Sequence, residues 1–467
     1  MVSKINRRKK AMSGVKNEDI TQEQKQIHDD ISNEDVSQKD DEVDQQKLQE
    51  LRAKLASKQK ENAMPPKIIQ KKKRSIEFGV VGTGQAGSRL AESFYNLGYA
   101  SICFNTASQD LEHIKIPEDN KYLLEHGIGG AAKDIDIGAE AAEKHRDGIN
   151  QLVHDKLGDS QVFLLCLSLG GGSGAGSCET MIDVLTATGK PVTVITVLPM
   201  STDDTQTKNN ALHTLSKLAK LTQSKSISNL IVVDNAKIES IYNDVGIMDF
   251  FNISNQAIVE PIDAFNRFSS EASAVKSLDS MEFAKLFIDG EGLSVYGEMT
   301  IANYQESMAL AESVVDNLDS GLLASGFDLK QTRYAGVFFV ANKKVWSEIP
   351  NGSVNLAMEL IRDVCGHAEA VFKGIYTADI EEDVVKVYSM FSGLGLPDIR
   401  VKQLKTEAQA DAAKAKDRAD TRNLNLTLDT GTEKATSEAD RIRQQIKKKS
   451  SKFSKVFGSG VTDLRKK

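Results

Sequence analysis

The sequence predicts an α/β protein: a parallel sheet with helices on both faces, extended by a second, smaller α/β region and flanked by polar tails. Three observations carry this. From Ser75 onward, apolar runs (IEFGVVG, YASICFNT, VFLLCLSL, PVTVITVLP, NLIVVDN) alternate with stretches of helical spacing such as GSRLAESFYNLG and SCETMIDVLTATG. The runs are too continuously apolar to keep a solvent face, as expected of strands buried on both sides. Two of them run straight into glycine-rich loops that open helices, the strand-to-helix turn at which such sheets bind ligands.

Residues 1–74 come first. They hold KINRRKK and KKKR at their ends, an acidic and amide-rich middle, and few aromatic or β-branched residues. Such a segment cannot bury enough apolar area to offset its ordering entropy, so we expect disorder, with a helix around QQKLQELRAKLASKQ stopped by Pro65-Pro66. The five strands and their helices occupy 75–249, a long helix DFFNISNQAIVEPIDAFNRFS spans about 250–270, and a loop with a following helix occupies 271–289. Residues 290–400 form the second α/β region, with helix YQESMALAESVVDNL, strands YAGVFFVAN and DVVKVYSMF, and helix VNLAMELIRDVCGHAEAVF between them. Residues 401–467 are polar again, first helix-prone (KTEAQADAAKAKDRADTRN), then basic.

Composition narrows the function classes. The chain has 467 residues, enough for two or three domains, and a net charge of −7, which excludes a wholly basic nucleic-acid coat protein. The 4 cysteines include no CxxC pair and no histidine at metal spacing, so neither a disulfide scaffold nor a zinc ribbon is expected and a reducing compartment is. The absence of an 18-residue apolar run and of a signal-peptide core points to a soluble, cytoplasmic protein.

The first glycine loop, Gly82-Thr83-Gly84-Gln85-Ala86-Gly87, fits GxGxxG. Glycines let the backbone approach a phosphate, and the helix N-terminus supplies N–H groups and dipole. A dinucleotide site would carry an acid about 20 residues on, whereas the second strand ends in Asn105-Thr106. The second loop, Gly170-Gly171-Gly172-Ser173-Gly174-Ala175-Gly176, has 5 glycines in 7 positions, a nest wide enough for a di- or triphosphate. GxxxxGK[ST] is absent from the sequence, which excludes a P-loop NTPase. A nicotinamide oxidoreductase remains an alternative, but it has no use for two phosphate loops on one sheet.

Together the loops resemble the tubulin/FtsZ superfamily. GGGSGAG resembles its GGGTGSG signature and GTGQAG its first nucleotide loop. The likeness continues in family order: Asn105-Thr106 at the end of the second strand, Gly127-Ile128-Gly129-Gly130-Ala131 at the loop facing the γ-phosphate, and VLPMSTD at the ribose loop, with Asp203 where the cell-division proteins carry Glu. The arginine that follows there is missing, Thr207 and Lys208 standing near it. VVDNAKI makes Asn235 a candidate for the purine edge, and Phe251-x-x-x-Asn255 matches the aromatic and amide at the start of the central helix, which stack on guanine and read its edge. Aromatic faces and amides suit those tasks. Taken alone, Phe251 reads as core rather than as a stacking ring, and Asn235 as a strand-end cap rather than a base ligand.

Ser277-Leu278-Asp279-Ser280-Met281-Glu282 resembles the family's NxDxxD catalytic loop, with Ser for Asn and Glu for the second Asp. The resemblance implies that Asp279, assisted by Glu282, polarises the water attacking GTP held by the next subunit, in in-line phosphoryl transfer with Mg²⁺ on the phosphates. Away from that context the two acids read as the dressing of a helix N-terminus. What the resemblance implies for the whole is a GTP/GDP-binding GTPase domain, a central helix and an activation domain that polymerise head to tail. Non-closing heterologous contacts make filaments. No adaptor peptide of the cell-division type ends the chain, and the divergent plasmid and phage members, which segregate or position DNA, are nearer in their tails. Ile442, Ile446, Phe453 and Phe457 would share one helical face among lysines and arginines, a surface for an adaptor, a neighbouring subunit, an acidic membrane or a DNA-bound complex. A cell-division ring protein and a scaffold that binds nucleotide without hydrolysing it are the alternatives.

Overall fold

The computed structural model describes residues 73–241, 245–320 and 326–420. The N-terminal helix read around QQKLQELRAKLASKQ and the stripe Ile442, Ile446, Phe453, Phe457 lie outside the described residues.

In the first half the elements are β1 (Phe78–Thr83), α1 (Gly84–Asn96), β2 (Ala100–Asn105), α2 (Ser108–Glu112), β3 (Lys121–Leu123), α3 (Ile135–Lys144), α4 (Arg146–Leu157), β4 (Val162–Ser168), α5 (Gly172–Thr186), β5 (Val192–Leu198), α6 (Thr205–Gln223), β6 (Asn229–Asp234) and α7 (Asn235–Ile241). The central helix α8 (Ile247–Phe268) and α9 (Ser280–Phe287) lead to β7 (Leu293–Ile301), α10 (Ser307–Ser320), β8 (Tyr334–Ala341), α11 (Lys343–Glu348), α12 (Asn351–Cys365), β9 (Ala370–Thr377), β10 (Val385–Leu394) and α13 (Asp398–Asp420).

Among the described residues the strands join one 10-stranded sheet in the order β3-β2-β1-β4-β5-β6-β7-β10-β8-β9. The pairs from β3 through β7 are parallel, as the unbroken apolar runs predict, and β5 is buried along its whole length. β10 runs antiparallel to both β7 and β8. Sequence reasoning separates two α/β regions; the backbone joins them through a short seam, Leu230 beside Leu293 and Ile231 beside Ser294.

Three local readings are corrected. The helix expected to run through VNLAMELIRDVCGHAEAVF stops at Cys365, where Gly366 takes φ +64°, and the remaining residues turn into β9. Arg74, counted with the charged tail, is anchored: its guanidinium lies 3.7 Å over the Tyr99 ring and 3.4 Å from Asp263 on the central helix. Composition sets the C-terminal tail from 401, yet α13 continues to Asp420 and seats Leu404 and Ala408 in buried positions.

Central helix and first strand are sewn together by Asn266, fully buried, whose side chain accepts from Ile76 N–H (2.8 Å) and donates to Ile76 C=O (2.8 Å). Both bonds satisfy groups that burial would otherwise leave costly. After β1, α1 presses so closely on β4 that a Cβ at Gly87 would lie 2.1 Å from the Cys166 carbonyl oxygen. Backbone cannot yield as a side chain does, so Gly87→Ala is expected to lower stability by about 1–3 kcal/mol, read as a drop in thermal midpoint.

Candidate nucleotide site

At the C-terminal ends of β1 and β4 the chain forms a cleft of about 330 Å³. Its walls are Thr83–Ala86, Ala107 and Asp110, Gly130–Lys133, and Ser168 with Gly171–Gly174. The N-termini of α1 and α5 both open here, and neither has a side-chain cap: Thr83 and Gly171 occupy the cap positions without the bond. The Thr83 hydroxyl instead pairs with Ser177 Oγ at 2.6 Å. Two first turns of unpaired N–H groups therefore face one cavity, which suits an anion with several phosphates. Gly84 holds φ +70°, and a Cβ there would come within 2.8 Å of Gly174 N, so the two loops meet backbone to backbone.

Of the residues singled out from sequence, Gly84, Gln85, Ala86, Gly130, Gly171, Gly172, Ser173 and Gly174 line this cleft. The others stand behind or beside it. Gly82 is packed within β1, and Ala175 is buried in α5. Gly170 abuts Thr207, and Gly176 abuts the Ile135 carbonyl. Gly129 adjoins the lining at φ +94°. Asn105 is buried; its amide donates to Asp110 Oδ2 (3.0 Å) while its oxygen accepts from Ala107 N–H (3.2 Å), so it shapes the turn after β2. Ser173 Oγ and Thr106 Oγ1, 2.6 Å apart, tie the second glycine loop to that turn.

The residues read as ribose and base contacts lie outside the cleft lining. Asp203 closes its own turn, accepting from Met200 N–H at 2.8 Å. Asn235 is the first residue of α7. Phe251, 42% exposed, projects from α8 with the Arg89 guanidinium 4.9 Å from its ring, and Asn255 follows one turn later on the same face. An exposed aromatic on this helix is not core packing, which removes the plainer reading of Phe251.

Asp279 and Glu282 stand elsewhere. Asp279 is the N-cap of α9: its Oδ1 accepts from Met281 N–H and Glu282 N–H, both 2.9 Å, and Glu282 Oε2 accepts from Asp279 N–H at 3.0 Å. This reciprocal capping box is the helix-end reading in full. Ser277, standing for the family's Asn, accepts from Ser273 N–H at 2.9 Å. The neighbouring Ser280 hydroxyl is 2.8 Å from that of Ser75, just before β1. The acids thus adjoin the N-terminal end of β1, and the cleft opens at its C-terminal end; the 6-residue strand between them spans about 20 Å.

Sequence reasoning missed Asp110 and Lys133. Asp110 is the one carboxylate of the cleft lining and receives both the Asn105 and Gln85 amides, the latter at 3.1 Å. Lys133 is its one basic side chain. A Gly-rich loop followed by a lone lysine was the available signal for the second; Asp110 had none beyond its place shortly after Asn105.

Comparison with known proteins agrees with this architecture. Residues 77–243 match the tubulin/FtsZ family GTPase domain, and residues 265–405 match the C-terminal domain of TubZ-like tubulin/FtsZ-like proteins. The tubulin-like protein TubZ of Bacillus cereus is 24% identical over 352 residues, covering 69% of this chain and 80% of the relative. The tubulin-like protein CetZ of Pyrococcus abyssi is 24% identical over 337 residues, covering 68% and 85%. Among solved structures, a GTPγS-form protofilament of Bacillus thuringiensis serovar israelensis TubZ superposes with a TM-score of 0.68 at 20% identity, over 75% of this chain and 96% of that one. With a tubulin/FtsZ GTPase domain and a TubZ-like C-terminal domain in succession on one sheet, the chain belongs to the tubulin/FtsZ family as a divergent tubulin-like protein.

Proposed function

We propose that this protein is a cytoplasmic GTPase that polymerises head to tail, each subunit's α9 acids completing the GTP cleft of the next, and that its filaments segregate or position DNA. The observation that carries the reading is the separation of cleft and acids by the length of β1. Carboxylates about 20 Å away cannot reach a phosphate in their own subunit, while a second copy stacked along that direction would bring them to it. TubZ protofilaments among the structural neighbours, and a TubZ described as a type III plasmid segregation protein, support assembly and the DNA role.

In this reading the first turns of α1 and α5 bind the phosphates, Asp203 the ribose, Phe251 stacks on guanine, and Asn235 and Asn255 read its edge. Asp279 orients and deprotonates the attacking water, with Glu282 assisting. Its two backbone donors converge on Oδ1, so Oδ2 is the oxygen that faces the water. Mg²⁺, which takes one or two carboxylates together with phosphate oxygens and water, fits the single acid of the cleft, and Asp110 would hold it; bound there it neutralises phosphate charge. Residues 75–249 form the GTP-binding part, 250–270 the central helix, 271–289 the catalytic loop and 290–400 the activation domain. The C-terminal tail is the part offered to an adaptor, a DNA-bound complex or an acidic surface. Among the described residues no helix is long and apolar enough to cross a membrane.

A second reading, a nucleotide-binding scaffold that assembles without hydrolysis, draws on the capping box, which gives both acids a structural occupation. Light scattering and phosphate release recorded together on GTP addition separate the two. Scattering that rises and then decays as phosphate appears is expected; a lasting rise without phosphate selects the scaffold, and no response to GTP overturns both.

A further inference from the structure

Lys133 stands where the cleft, a strained loop and α6 meet. It and Ala132 both hold left-handed backbone, at φ +65° and +45°. Consecutive non-glycine residues in that region cost free energy and persist only where neighbours hold them. Here the neighbours are two amides of α6: Gln206 and Asn210 donate to the Lys133 carbonyl at 3.0 and 2.8 Å. The side chain, 47% exposed, pairs its ammonium with Asp204 Oδ2, though Lys133 also lines the phosphate cleft.

Asp204 does not depend on that partner. It is the N-cap of α6, and its Oδ1 already accepts from the Thr207 N–H at 2.8 Å and the Thr207 hydroxyl at 2.9 Å. The ammonium can therefore leave without uncapping the helix. Its backbone is clamped, its tether is exchangeable, and among the described residues lining the cleft it is the one basic side chain, the rest being neutral apart from Asp110.

Resting on the GTP reading above, we propose that Lys133 is a terminal-phosphate sensor: it exchanges Asp204 for an oxygen of the γ-phosphate and returns to Asp204 when that phosphate is gone. A triphosphate offers the additional anionic group that competes with a surface carboxylate; a diphosphate does not. Charge-assisted bonds of this kind carry discrimination between ligands differing in one anionic group. The Lys133 side chain thus takes two arrangements, one for each nucleotide, over a backbone clamped by Gln206 and Asn210 and a helix that stays capped by Asp204.

Equilibrium binding of GDP and of GTPγS to the full chain, below its assembly concentration, tests this. Lys133→Gln is expected to weaken GTPγS about tenfold and leave GDP unchanged. Asp204→Asn, which keeps a good N-cap but removes the competitor's charge, is expected to tighten GTPγS several-fold relative to GDP. The second variant serves where the first disturbs the loop. An unchanged GTPγS-to-GDP ratio in both variants, with a wild type that binds both nucleotides, overturns the sensor alone. A wild type that binds neither overturns the GTP reading and the sensor with it.

Discussion

Asp279→Asn is expected to lower GTP-dependent phosphate release by about a hundredfold or more while leaving fold, GTP binding and assembly intact. The capping geometry is what makes asparagine the informative choice. Asp279 holds Met281 N–H and Glu282 N–H through one oxygen, and an amide oxygen accepts those bonds equally well. Alanine removes both, costing about 1 kcal/mol of helix capping, so that a slow alanine variant mixes lost structure with lost chemistry. Asparagine keeps the cap and removes only the proton acceptor. Persistent polymers with little phosphate release, at unchanged thermal midpoint, are the expected result. Wild-type release from Asp279→Asn would show that the carboxylate is a cap and nothing more.

The second large effect is expected at Arg400. This side chain, 6% exposed, joins α13 to the nucleotide-side loops: Nε lies 2.9 Å from Asp234 Oδ2, and the guanidinium donates to Pro199 C=O at 3.2 Å and Glu407 Oε1 at 3.3 Å. Beside it the buried Lys208 donates to Asp411 Oδ2 at 2.7 Å and Ser201 C=O at 2.9 Å. Removing one member of such a set leaves the others charged and out of water, at a cost of about 3–5 kcal/mol. Arg400→Met should therefore loosen α13, seen as faster amide exchange after Pro397 and a lower thermal midpoint. Burial raises the pKa of Asp234 and Arg400 opposes that rise; without the arginine it rises further. A carboxyl raised in the folded state loses stability as pH climbs through its folded value and recovers it below, where it is protonated. The deficit of the variant should accordingly be largest near pH 8 and shrink towards pH 5; a deficit independent of pH would mean that lost packing, rather than an uncompensated Asp234, accounts for it.

What the sequence made legible was what local chemistry dictates. VFLLCLSL and PVTVITVLP, short apolar runs bounded by turn residues, read as doubly buried strands and are β4 and β5, and a glycine loop between strand and helix marks a helix N-terminus open to an anion. Residues placed by tertiary structure were harder to see. AVFKGIYT lies shortly after a helical pattern, separated from it by four residues that begin with the left-handed Gly366. LSVYGEMTI carries a glycine and a glutamate in mid-strand and escaped notice as β7. α13 looks solvated because Arg400, Glu407 and Asp411 are charged, yet their partners Asp234 and Lys208 lie more than 160 residues earlier. Arg74 was hidden in the same way among lysines, since no local rule puts a guanidinium over Tyr99. Lys133 and Asp110 are ordinary charged residues until the loops fold around one cavity.

The span of β1 between cleft and acids has an arithmetic side. On the proposed assembly each copy owns half of two sites, so a row of n copies contains n − 1 complete ones and a solitary copy contains none. Turnover per molecule then climbs steeply with concentration and levels off in long rows. The nucleotide at one terminus, lacking a neighbour's Asp279, always outlives the rest. Spent nucleotide therefore fills the row behind one open cleft, which alone keeps its triphosphate.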